Sequence, residues 1–66
     1  MTVEEVKERV EAIRQMRGDD EAAHSHEDQL HQAVLDAIAK GECSDPAACA
    51  AEALKTSDIA FARWCA

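Results

Sequence analysis

Tyrosine is absent from this chain, and a single phenylalanine and a single tryptophan are the only aromatic residues among 66. An aromatic centre is therefore excluded, and packing is left to valine, leucine, isoleucine and many alanines, which bury less surface per residue. A chain of this length covers only about 60% of the surface that its unfolded form exposes. Its core must be thin, and such chains often gain stability by dimerising or by docking on a partner. Two glycines and one proline leave no glycine-rich phosphate loop, and neither a nucleophile elbow nor a CxxC pair is present. No catalytic residue, cofactor or metal is assigned on this basis, and the chain does not read as an enzyme.

Long apolar runs are also missing, so no segment reads as a membrane span or a signal-peptide core. The expected location is the cytoplasm, with reduced thiols. Three cysteines, Cys43, Cys49 and Cys65, form an odd set, and five residues separate the first two, which fits no zinc-ribbon spacing. Cys43 and Cys49 could approach each other across a helix start, but buried small hydrophobes are the preferred reading.

Positive charge is scarce in the middle of the chain. The net charge is −7, and residues 19–45 carry all of it, with eight acids against Lys40 alone, while both flanks balance. Such a block repels phosphate backbones and anionic lipid and favours a basic patch on another protein. A solvated acidic face that only keeps the chain dispersed is the simpler alternative.

Helical spacing dominates what is present. Thr2 and Glu5 form a capping box ahead of Val3, Val6, Val10, Ile13 and, at the end of the stripe, Met16, predicting a helix over 3–17 that stops at Gly18. Asp19 or Asp20 can cap a second helix of about 20 residues, whose apolar stripe is Ala23, Leu30, Val34, Ala37 and Ile38, with Gly41 as its stop. Asp45-Pro46 starts a third, alanine-rich helix over 47–55. Thr56-Ser57-Asp58 then reads as a cap before a short last helix, Ile59 to Cys65, carrying Phe61 and Trp64 toward the core. The expected fold is all-α, one domain over 1–66, a bundle of three helices plus a short C-terminal one.

All three histidines fall in the eight residues His24-Ser25-His26-Glu27-Asp28-Gln29-Leu30-His31. At ~100° per residue, with Leu30 at zero, Val34 lies near ~40°, Glu27 near ~60°, His31 near ~100° and His24 near ~120°. A carboxylate between two imidazoles thus borders the core stripe. As a metal set, His24, Glu27 and His31 still lack a fourth ligand, and their order matches no established motif. As a pH-responsive patch they would draw on the ordinary imidazole titration near about 6.5. The favoured reading pairs Glu27 with a cation from another helix, for which Arg63, beside Phe61 and Trp64 in the expected last helix, is the best placed. His24, His26, Glu27, Asp28, His31 and Asp36 are the candidate interaction residues of the acidic helix.

Two resemblances bear on function. The run Ala50-Ala51-Glu52-Ala53-Leu54-Lys55-Thr56-Ser57-Asp58-Ile59-Ala60-Phe61-Ala62-Arg63-Trp64 resembles a helix-turn-helix of repressor-like and transposase-like proteins. That likeness implies nucleic-acid binding, yet Lys55 stands where glycine usually makes the turn, and the second helix offers only Arg63 to a phosphate or base. Ala23-His24, Glu27-Asp28, Val34-Leu35, Ala37-Ile38-Ala39, Ala53-Leu54-Lys55-Thr56 and Phe61-Ala62-Arg63-Trp64 give residues 19–66 a likeness to short helical proteins of unknown function from actinobacteria and their phages. This second likeness implies no activity, only an accessory factor of phage or host.

The expected function is protein interaction through the acidic middle helix, with a basic partner protein, no membrane and no nucleic acid, and with a homodimer left open. A helix-turn-helix regulator is the alternative, and a metal-binding or pH-responsive module is a third reading. Circular dichroism of the metal-free protein is expected to be predominantly helical; a disordered spectrum that becomes helical on adding zinc would instead make the histidine cluster a folding site.

Overall fold

The computed structural model describes residues 1–63. Three α-helices follow one another, α1 (Val3–Gln15), α2 (Asp20–Ala39) and α3 (Pro46–Leu54), and a 3₁₀ turn, Lys55–Asp58, extends the last. No strand occurs among the described residues.

Each helix begins on a side-chain cap. Thr2 Oγ1 accepts from the Glu5 amide at 3.2 Å, Asp19 Oδ1 from Ala22 at 3.1 Å and Asp45 Oδ1 from Ala48 at 3.1 Å. These bonds satisfy amide groups that have no partner within the helix. The capping box at α1 is only half built, because the Thr2 hydroxyl faces Glu5 Oε1 at 3.4 Å and no Glu5 oxygen returns to the Thr2 amide.

The two glycines end their helices differently. Gly41 adopts φ +70°, its amide reaches Ile38 O at 3.1 Å, and Glu42 N reaches Ala37 O at 2.8 Å. That is the paired-bond C-terminal motif for which a left-handed residue is required. Gly18 has no positive φ, and α1 already ends at Gln15, three residues before it. The chain instead leaves α1 through tight turns, with Met16 N on Ile13 O, Arg17 N on Arg14 O and Asp19 N on Met16 O.

Val6, Val10 and Ile13 of α1 meet Ala23, Leu30 and Val34 of α2 and Cys49 and Ala53 of α3 in one core, closed by Ile59. Phe61, Ile38, Met16 and Cys43 pack against it at the edges. All three helices touch one another, and the alanine surface of α3 lets it approach closely.

The last helix expected over Ile59 to Cys65 does not form in the part described. Ile59 is extended at φ −80° and ψ 127°, and residues 60–63 have no helical turn; Trp64 and Cys65 lie outside the described residues. Ser57 Oγ donates back to Leu54 O at 2.8 Å rather than capping a following helix. Side chains also take the backbone groups that a helix would need: Asp20 Oδ1, from α2, accepts from Ala62 N at 3.1 Å, and the nearby Arg63 guanidinium occupies the carbonyls of Ile59 and Phe61. The helix-turn-helix resemblance therefore has no second helix over residues 59–63.

Because only Gly41 uses a left-handed backbone, Gly41→Ala should destabilise the protein by about 1 to 2 kcal/mol, and Gly18→Ala, where an added Cβ meets nothing, should stabilise it by about 0.4 to 1 kcal/mol. Urea titrations of both variants read the two signs directly.

Candidate functional site

The acidic helix α2 divides its titratable residues between two faces. Glu27 falls one turn before Leu30 and one after Ala23, and is accordingly only 5% exposed. Asp28 and Asp36, on the opposite side, are exposed.

Arg63 meets Glu27 in a two-point pairing, Nε to Oε1 at 2.8 Å and Nη2 to Oε2 at 3.0 Å. The guanidinium also donates to the carbonyls of Thr56 at 2.8 Å, Phe61 at 3.1 Å and Ile59 at 3.2 Å, and lies 3.8 Å above the centre of the Phe61 ring. The geometry is strongly directional, because a planar fork matches a carboxylate and leaves its outer hydrogens for carbonyls. The hydrogen bond from Arg63 holds the Glu27 carboxyl below its ordinary range and outweighs burial, which acts the other way. Glu27 in turn raises Arg63 above the usual guanidinium value.

His31 serves a second internal junction. Its Nε2 lies 2.9 Å from Thr56 Oγ1 and 3.2 Å from Ala53 O. A carbonyl can only accept, and the Thr56 hydroxyl already donates to Ala53 O at 3.1 Å, so Nε2 carries the hydrogen and His31 is the donor. Thr56 is fully buried, and no buried side-chain polar atom among the described residues lacks a partner.

The remaining candidates separate. His24 is largely covered and its Nε2 stands 3.5 Å from Asp28 Oδ2. His26 is exposed and turns its Nδ1 to Ala22 O at 2.9 Å. Asp36 pairs with Lys40 at 3.1 Å, both well exposed, a contact worth little by itself. The trio His24, Glu27 and His31 is not brought together as a ligand set, since His31 faces the end of α3. Donor atoms of His24, Glu27 and Asp28 do lie within 4.8 Å of one another. Both Glu27 oxygens are engaged by Arg63, however, and a cation there would sit against the guanidinium.

A feature outside the sequence reading lies on the far side of α2. Leu35 is 67% exposed and Leu54 65% exposed. They border a groove of about 320 Å³ between α2 and α3, lined with His31, Val34, Ala50 and Ala53. Asp28, Gln32 and Asp36 continue that surface along α2, past His31 and Leu35. The available signal was that Leu35 is a large apolar residue off the stripe of α2, and Leu54 the one large apolar residue of the alanine-rich α3. No helix among the described residues is long and apolar enough to cross a membrane. Comparison with protein-family models, curated proteins and solved structures finds no significant match to the chain.

The ion pair sets a pH dependence. Glu27 binds its proton more weakly in the folded than in the unfolded chain, so its contribution is complete above the ordinary glutamate value of about 4.3 and is lost as pH falls through the lower folded value. The unfolding midpoint of the natural protein should therefore fall more steeply below about pH 4.3 than that of Glu27→Gln. At neutral pH, Glu27→Gln should cost about 2 to 4 kcal/mol, Arg63→Lys should not substitute for the fork, and Asp19→Asn, which keeps a competent cap, should change little. Equal acid sensitivity in the natural protein and Glu27→Gln would remove the pair from this role.

Proposed function

We propose that this chain is a protein-interaction module that receives a basic, amphipathic segment of another protein along the groove between α2 and α3. The observation that carries this reading is the placement of Leu35 and Leu54, two large exposed apolar side chains, on the borders of one groove beside Asp28 and Asp36. A large apolar side chain exposed singly is ordinary; two sharing a groove supply the apolar contact that a partner helix can cover. The surrounding acids select the charge of that partner and speed its approach.

The same charge argues against a second copy, because two acidic α2 faces would repel. It also argues against nucleic acid, for which a phosphate-binding row of lysines or arginines is required. The proposed role is that of a small accessory factor, in a phage or its host, which acts by binding rather than by catalysis.

Parallel affinity capture with the natural chain and with Leu35→Ser/Leu54→Ser tests the proposal, since both side chains are exposed and their loss should leave the circular dichroism unchanged. A protein held by the natural chain, released by salt and lost with the double variant should yield a lysine- or arginine-rich amphipathic peptide. That peptide should bind the double variant at least about 30-fold more weakly. Capture that is indifferent to both substitutions and to salt would refute the reading, and a dimer of the natural chain abolished by the same substitutions would give the groove to a second copy instead.

A further inference from the structure

Two thiols lie where α2 hands over to α3. Asp45 caps α3 and Pro46 is its first residue, so Cys49 belongs to the first turn and points into the core, where it is fully buried. Cys43 precedes the cap by two residues. A chain entering a capped helix crosses over that helix's own first turn, where the residue before the cap, here Ser44, faces the fourth helical position, and Cys43 lies one residue further back along the same crossing. Cys43 packs against the core cluster to which Cys49 belongs, and the two side chains are near enough for Cys43 to act on the Cys49 thiol. Cys43 is also held from both sides, because Met1 N donates to Glu42 O at 2.6 Å and Ser44 N donates to Met1 O at 2.9 Å. Both cysteines are free thiols, one half-buried and one enclosed.

From this placement we infer that Cys43 and Cys49 form a redox site in which exchange with a small-molecule disulfide closes an internal Cys43–Cys49 bond across the start of α3. The chemistry balances in two steps. The Cys43 thiolate attacks one sulfur of R–S–S–R, forming a mixed disulfide and releasing R–S⁻, which takes up the proton that Cys43 gave up. The Cys49 thiolate then attacks the Cys43 sulfur, forming the internal bond and releasing the second R–S⁻, which is protonated in turn. Two protein thiols are oxidised, and one external disulfide is reduced to two thiols.

The order follows from access. Cys43 is the half-buried residue of the two, whereas Cys49 is enclosed and its thiol is pushed up by the neighbouring Cys43 side chain and by burial. Cys49 thus attacks only a sulfur delivered to it. The closed ring takes in residues 43–49, the entry to α3 and its first turn, and leaves the groove residues Leu35 and Leu54 untouched, so the redox site stands apart from the proposed docking surface.

The test uses the full chain carrying Cys65→Ser, so that a third thiol cannot exchange, with glutathione disulfide as the oxidant. Intact mass after alkylation should show loss of two hydrogens with no alkylated thiol, and peptide mapping should join 43 to 49. The unfolding midpoint should rise by roughly 10 °C on oxidation and return with reduced glutathione. In Cys43→Ser/Cys65→Ser, Cys49 should remain unmodified under the same conditions. A glutathione adduct that persists on Cys43, closure only in denaturant, or equal modification of Cys49 without Cys43 would each overturn the inference.

Discussion

A single guanidinium organises the end of this small domain. Arg63 is one-third exposed, yet the carboxylate it meets is almost wholly enclosed, and an enclosed carboxylate without a partner would cost several kcal/mol, on the order of what an entire domain of this size has to spare. Every donor-bearing nitrogen of the side chain is engaged, by Glu27 or by the carbonyls of Thr56, Ile59 and Phe61. The same contacts that neutralise Glu27 also fold the chain after α3 back over the core. Ile59 is thereby buried and Phe61 comes to rest under the guanidinium.

This arrangement compensates for a shortage of large apolar side chains. With alanine filling much of α2 and α3, the helices approach closely but bury little surface each, and polar ties hold what the core alone holds weakly. Three of them converge on the end of α3: Arg63 on Thr56 O, His31 on Thr56 Oγ1, and Thr56 on Ala53 O. Such a junction is stable only when every member is satisfied, as it is here.

With Glu27 committed to the interior, the outer surface of α2 is a separate object. Asp28 and Asp36 remain exposed there, and Leu35 and Leu54 stand unburied beside them. One helix therefore carries an internal acid that holds the fold and external acids that face solvent. His31 lies between the two, tied inward by its ring nitrogen and lining the groove with its outer edge.

The helices themselves were legible in the linear chain because their determinants are local. Asp45-Pro46, Thr2, Asp19 and Gly41 act within a few residues of themselves, and the stripe of Val6, Val10 and Ile13 needs only helical periodicity to be read. The burial of Glu27 and the choice of Arg63 as a cation were legible for a related reason, since an acid inside an apolar stripe demands a partner and few cations were placed to serve. The last segment was not. Its residues have acceptable helical propensity, but Asp20 claims an amide from across the fold, and Arg63, drawn to Glu27 of α2, turns onto the segment's own carbonyls, a competition that no local pattern records. The same holds for His31, whose acceptors belong to α3 and the 3₁₀ turn that extends it, and for the groove between Leu35 and Leu54. Two residues nineteen apart become neighbours only when α2 and α3 pack, and that packing is decided by the tertiary structure.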